Sequence, residues 1–391
     1  MINFELHTPT RVIFGKDTQL MAGRIIKEYG FQKVLIYYGG KSSIKNGLLA
    51  QIKETLRENG ISFLEMGGVQ PNPTLGFCRE TADFMCREGI DFTLAVGGGS
   101  VLDSAKIASH AVGTDADPWD IVTKKTPVAA TIPFGVVLTI AAAGSETSDS
   151  AVLTDEQTGT KRGLGSQFNR PLFAVMNPEL TYSVPPYQTA AGIVDIMMHT
   201  LERYLAGNEN NDLTDRLAEG LVKSVIEAGK TVMERPGDYE ARATLMWAGS
   251  LAHNGLMGAG RQFGMNAHQI EHELSGLDDR ITHGAGLAVV WPAYLAYLSR
   301  FNTKRLLQYA VRIWNCEEDF EHPEKTVQAG IRATRAYFAS LGMPLTLGEV
   351  GIGEDKIEFM AEKCTFFGKR KLQSYTELGK EEIMEIYRLC L

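Results

Sequence analysis

Two kinds of apolar pattern divide the chain. In the first half, short apolar runs alternate with amphipathic stretches. Lys33 to Tyr38 and Phe92 to Val96 are nearly continuous in apolar residues, as expected of strands in a parallel sheet covered on both faces. Ser62 to Met66, Pro127 to Ile132 and Val136 to Ile140 read as further strands, and residues 1 to 14 as strands that pair early. Helical patterns fall over 21–29, 48–58, 74–88 and 101–110. Strands alternating with helices predict a parallel, Rossmann-like α/β domain.

After Ser183-Val184-Pro185-Pro186 the pattern becomes helical throughout. Helices are predicted over 188–206, 211–233, 238–258, 262–275, 284–298, 302–315, 324–341, 354–363 and 380–389, with no clear strand. The expected organisation is an α/β dinucleotide-binding domain over 1–184 and an all-helical, metal-binding domain over 185–391, with the active site in a cleft between them.

Two stretches carry chemistry. In the helical half, Asp195 and His199 are four apart, as are His268 and His272, so each pair shares a helix face. His283 follows a polar loop and stands near a helix start, where it can complete a set, whereas His253 is less well placed. One such pair is usually a solvated face. Asp195, however, sits among Gly-Ile-Val and Ile-Met-Met, and a buried carboxylate needs a cation or a donor. A carboxylate with imidazoles suits Zn²⁺ or Fe²⁺. Nearby Met197, Met198, Met257, Met265, Phe263 and Trp247 are either an apolar substrate pocket or plain core.

In the first half, Gly97-Gly98-Gly99-Ser100 joins a strand to a helix, where bare backbone and a helix N-terminus suit a pyrophosphate. Ser100 is placed to cap that helix; Asp103 and Lys106 follow on its first turns. The spacing is neither Gly-x-Gly-x-x-Gly nor a P-loop. After the strand at 33–38, no acid occurs between Gly30 and Gln51; Lys41, Ser42, Ser43 and Lys45 stand there instead. An acid at that place holds a ribose 2′-hydroxyl, so its absence favours NADP over NAD.

Composition narrows the class. The chain has 391 residues, 44% hydrophobic and 22% charged, and a net charge of −8, which argues against nucleic acid as a partner. Five cysteines without a Cys-x-x-Cys read as free thiols of a reducing compartment. No signal peptide and no membrane span are expected; the uncharged run from Thr126 to Ser145 is interrupted by proline and glycine. A cytoplasmic enzyme follows, and a homodimer is the default assembly.

Together the pieces resemble the iron-containing (group III) alcohol dehydrogenases, in the branch of NADPH-dependent butanol dehydrogenases and aldehyde reductases. The carriers are Tyr-Gly-Gly-Lys-Ser (38–42), Gly-Gly-Val-Gln-Pro-Asn-Pro (67–73), Ala-Val-Gly-Gly-Gly-Ser-Val-Leu-Asp-Ser-Ala-Lys (95–106), Gly-Ser-Glu (144–146), Asp-x-x-x-His (195–199) and His-x-x-x-His ending in His-Gly (268–284). The resemblance implies a two-domain enzyme that reversibly reduces short or medium-chain aldehydes with NADPH. It implies Asp195, His199, His268 and His283 as ligands of one Fe²⁺ or Zn²⁺, and His272 as a proton relay. Gly98, Gly99, Ser100 and Asp103 would meet pyrophosphate and ribose, Gly40 and Ser42 the 2′-phosphate, and Thr139, Ser148 and Lys161 the rest of the cofactor. Ala143 replaces a threonine common in the family. A polyol dehydrogenase or a dehydroquinate-synthase-like lyase on the same architecture, or a non-catalytic metal-binding protein, are the other readings.

Overall fold

A computed structural model describes residues 1–40, 42–207 and 210–391. The chain divides into two compact units: His7–Val184, and Pro185–Leu391 together with Met1–Leu6.

The first unit runs β1 (Arg11–Phe14), α1 (Ala22–Tyr29), β2 (Lys33–Tyr38), α2 (Ser42–Lys45), α3 (Leu48–Glu58), β3 (Ser62–Gly67), α4 (Leu75–Glu88), β4 (Phe92–Gly97), α5 (Gly99–Thr114), α6 (Pro118–Val122), β5 (Phe134–Leu138), β6 (Ser150–Asp155), β7 (Thr160–Gly165) and β8 (Phe173–Met176). Six strands form a parallel sheet in the order β1-β8-β5-β4-β2-β3. Val34 to Tyr37 are fully buried because helices cover both faces. On one face Ile25, Ile26, Ile52 and Leu56 of α1 and α3 pack on Val34, Ile36, Leu94 and Val96. On the other, the Tyr37 hydroxyl pairs with Thr81 (3.1 Å) on α4 and Ser104 (2.7 Å) on α5. The strands are parallel, so the loops after β2, β4 and β5 emerge at one edge of the sheet.

Some strand expectations need correction. Residues 1–10 contain no strand, and Met1–Leu6 belong with the helical unit, where Ile2 N–H donates to Gly260 O at 3.2 Å. β1 pairs with β8, far along the chain, rather than early. Residues 127–133 are irregular, held in part by Ile132 N–H to Ser109 O. The antiparallel β6–β7 hairpin was not expected, because Thr-Lys-Arg-Gly-Leu-Gly has neither the apolar run nor the alternation of a strand.

The second unit runs α7 (Pro186–Tyr204), α8 (Asp212–Glu234), α9 (Tyr239–His253), α10 (Asn266–Leu277), α11 (His283–Leu298), α12 (Thr303–Trp314), α13 (Pro323–Ser340), α14 (Ile357–Cys364), a two-stranded hairpin of β9 (Leu372–Gln373) and β10 (Glu377–Leu378), and α15 (Lys380–Arg388). Among the described residues of Pro185–Leu391, the hairpin is the one β element that departs from the all-helical expectation; its strands are too short to leave a periodic signal. α7 begins at a proline, whose fixed φ suits a first helical turn, and is buried from Thr189 to Tyr204. Its last carbonyl is held by charge. Tyr204 O accepts from Arg305 Nε (2.9 Å) and Arg261 Nη1 (3.2 Å), and both guanidiniums pair with Asp215.

One buried histidine of the first unit makes stability depend on pH. His110 on α5 meets Asn169 (2.7 Å) and Thr131 (2.8 Å), and burial holds its pKa down to about 4. The unfolded chain takes up a proton near pH 6.5 that the native protein refuses, so stability is lost as pH falls from 6.5 towards 4. The slope from this group reaches about 1.4 kcal/mol per pH unit. Urea midpoints should fall less steeply across that window in His110→Gln than in the wild type.

Candidate metal centre and dinucleotide site

Three helices bring the metal candidates together. On α7, Asp195, His199 and Glu202 lie at one-turn intervals on one face; on α10, Glu271 and His272 stand three and four residues, one turn, beyond His268; α11 opens with His283. Gly284 explains how α11 comes so close to α7. A Cβ there would lie 2.0 Å from Ala191 O, so only glycine permits the approach that carries His283 to Asp195.

The nitrogens converge on one carboxylate oxygen. His199 Nδ1, His268 Nε2 and His283 Nε2 stand 3.2, 3.6 and 3.9 Å from Asp195 Oδ1. Asp195, His199 and His268 are buried, and Asp195 Oδ1, His199 Nδ1 and His268 Nε2 each lack a hydrogen-bond partner. Three orphaned polar atoms within 4.8 Å of one another in the protein interior are costly unless a cation joins them. The residues therefore fit a divalent metal, and one carboxylate with three imidazoles suits Fe²⁺ or Zn²⁺.

The surroundings split the histidines electrostatically. Burial, then the neighbouring imidazoles of His253 and His268, hold His199 well below the usual histidine range. At His268 burial also opposes the charge, but Glu202 and Asp195 outweigh it and raise the pKa to about 9. Glu202 and Glu271 escaped the sequence reading. Glu202 pairs with His268 Nδ1 and accepts Ala267 N–H at 2.6 Å; Glu271 pairs with His283 Nδ1. Their signal was present, because each follows a candidate ligand by three residues and so shares its helix face. His253 stacks on His199 at 4.0 Å between centroids, and the half-buried His272 lies 5.4 Å from the His283 ring. Met197, Met198 and Met257 are core, with 0–2% of their surface exposed; Phe263 instead packs under Arg203 at 5.0 Å.

The glycine-rich turn leaves β4 at Gly97 and enters α5 at Gly99. No side chain caps α5: the N-cap is Gly98, and Ser100 lies within the helix rather than capping it. A Cβ on Gly98 or Gly99 would stand 3.2 Å from Ile140 or Ala143, so the loop after β5 lies directly against the turn. The half-buried Thr139 joins it through N–H to Gly97 O at 3.0 Å. Gly40 and Ser42 are exposed after β2, which neighbours β4; Lys41 lies outside the described residues.

Two expected cofactor contacts have other work. Ser148 is fully buried, and its hydroxyl meets Ser150 O (3.3 Å) and Lys106 Nζ (3.4 Å). Asp103 accepts Ser145 Oγ (2.6 Å) and Val152 N–H (3.0 Å), fastening both neighbouring segments to α5. Lys106 completes this cluster: burial pushes its pKa down to about 8 despite Asp103, and Nζ donates to Ser145 Oγ (2.7 Å), Ser145 O (2.7 Å) and Ser150 O (2.8 Å). Lys161 on β7 reaches Asn72 Oδ1 at 3.0 Å.

The chain resembles known proteins over its whole length. The family model described as iron-containing alcohol dehydrogenase matches residues 9–178, and that of the Fe-containing alcohol dehydrogenase family, C-terminal, matches 189–391. The chain belongs to this family. It is 40% identical to NADH-dependent butanol dehydrogenase A of Clostridium acetobutylicum over 99% of both chains. It is 38% identical to the NADPH-dependent aldehyde reductase YqhD of Escherichia coli, again over 99% of each. The crystal structure of NADH-dependent butanol dehydrogenase A from Thermotoga maritima superposes with a TM-score of 0.96 at 35% identity, covering 100% of this chain and 99% of that one.

Lys106→Met would strip the cluster of its cation and leave Asp103 buried without it. The expected loss is about 3 kcal/mol of unfolding free energy, read by urea denaturation of the full chain.

Proposed function

We propose that this chain catalyses reversible hydride transfer between NADPH and a short or medium-chain aldehyde, at one Fe²⁺ or Zn²⁺ held by Asp195, His199, His268 and His283. The carrying observation is the convergence of orphaned buried atoms on Asp195 Oδ1 in a chain of this family. A metal bound there supplies a Lewis acid toward a carbonyl oxygen, and the nicotinamide supplies the hydride. The chain's own residues do the remainder. The helices bury Asp195, His199 and His268 and half-bury His283, which strengthens their electrostatic contacts. The bare turn at Gly98, Gly99 and Ser100, with Thr139 and Lys161, holds the dinucleotide by backbone N–H groups and the α5 N-terminus. An imidazole nitrogen of His272, beside His283, holds the proton that the product alcohol acquires.

The choice of NADPH rests on the end of β2, where Gly40 and Ser42 stand in the place an acid would take to select a 2′-hydroxyl. Named relatives use either cofactor. A cytoplasmic site is supported by five free cysteines, and among the described residues no helix is long and apolar enough to cross a membrane. A homodimer is supported by the exposed apolar residues Ile2, Phe4, Leu6, Leu213 and Leu217 of the helical unit, and by the edge strand β1, which has one neighbour.

Metal-stripped protein resupplied with Zn²⁺ or Fe²⁺ should oxidise NADPH faster than NADH with butanal as acceptor. Faster use of NADH would overturn the 2′-phosphate argument alone, and no turnover of either with metal bound would move the reading to a polyol or lyase substrate. His268→Ala should abolish both metal retention and turnover. Light scattering should return twice the 42.9 kDa chain mass, and Phe4→Asp with Leu6→Asp should shift it toward the monomer.

A further inference from the structure

Behind the imidazole of His283 lies a carboxylate that serves in no ligand set proposed above. Glu271 is fully buried, and its Oε2 pairs with His283 Nδ1. Its other oxygen, Oε1, is buried without a hydrogen-bond partner. Such a group is expensive to keep in a protein interior, and it persists where it has a task. The space it occupies is made by Gly286. A Cβ at that position would lie 2.5 Å from Glu271 Oε1, 2.7 Å from Cγ and 3.0 Å from Cδ. Gly286 is inside α11, one turn beyond His283, where glycine costs about 1 kcal/mol relative to alanine. The helix bears that cost at a place where a side chain would drive the carboxylate off the imidazole.

We propose that Glu271 is a positioning residue for His283, and that Gly286 is the notch that keeps it in place. Accepting Nδ1–H selects the tautomer whose bare nitrogen is Nε2, the atom that faces Asp195. The negative charge also makes the imidazole a stronger donor. Glu202 has the same relation to His268, but it accepts the N–H groups of Ala267 and His268 as well, so its loss would disturb the first turn of α10. Glu271 is the cleaner case. Its role presupposes the reading of Asp195, His199, His268 and His283 as metal ligands.

The experiment is a Co²⁺ titration of the stripped full-length protein against a chelator, with the visible spectrum of bound Co²⁺ as a second readout. Glu271→Ala should weaken affinity about 10- to 100-fold while one ion still binds, and Glu271→Gln, which keeps the size and loses the charge, on the order of tenfold. Gly286→Ala should weaken binding in the wild-type background and add nothing once Glu271 is Ala. Wild-type affinity and spectrum in both Glu271 variants would overturn the positioning role, as would an equal effect of Gly286→Ala with and without Glu271, which marks mere helix packing. If Glu271→Ala does not fold, the Gln variant and Gly286→Ala decide the matter. His283→Ala separates the two levels: undiminished affinity there removes the ligand reading itself, whereas its loss beside an unchanged Glu271→Ala overturns the positioning role alone.

Discussion

The burial of Asp195 is the constraint on which the helical unit depends. A carboxylate among Ile193, Val194, Ile196 and Met197 cannot stay charged without compensation. The compensation comes from two other helices, so α7, α10 and α11 must meet at one point. Gly284 lets α11 touch α7, and Gly286 admits Glu271. Glu202 ties α7 to the start of α10 by accepting its first N–H groups. At the far end of α7, Arg261 and Arg305 both donate to the carbonyl of Tyr204. Charge and close packing thus set the same three helices in one register.

The α/β unit solves a different problem. A parallel sheet brings its glycine-rich turns to one edge, and backbone N–H groups there need no particular side chain. What must be fixed is the loop that packs on the turn. The buried Asp103–Lys106 pair does this, pinning Ser145, Ser150 and Val152 to α5. Asp103 and Lys106, next to the glycine-rich motif, thus frame the turn from behind.

The legible parts were those with local periodicity. The buried strands β2 and β4 and most helices left runs or 3.6-residue patterns, and the four-residue spacing of Asp195–His199 and His268–His272 placed each pair on a face. The β6–β7 and β9–β10 hairpins left no such pattern, because short strands containing Gly, Lys and Arg take their conformation from their partners. The pairing of β1 with β8 spans most of the unit and could not be read locally. The contact of Ser148 with Lys106 left no trace, because a hydroxyl looks the same in sequence whether it lies at a surface or meets a buried lysine.

The sequence by itself determined the class of each unit, the boundary at Pro185 and the types of atom at the centre, since each of these is carried by neighbours in the chain. Only the tertiary structure decided which atoms meet: that Glu202 and Glu271 stand behind His268 and His283, that His253 stacks on His199, that Ser148 is sealed inside, and that Met1–Leu6 joins the helical unit. These are contacts between residues far apart in the chain. They depend on close approach of backbones and on how buried charge is compensated, and neither leaves a periodic trace in the order of residues.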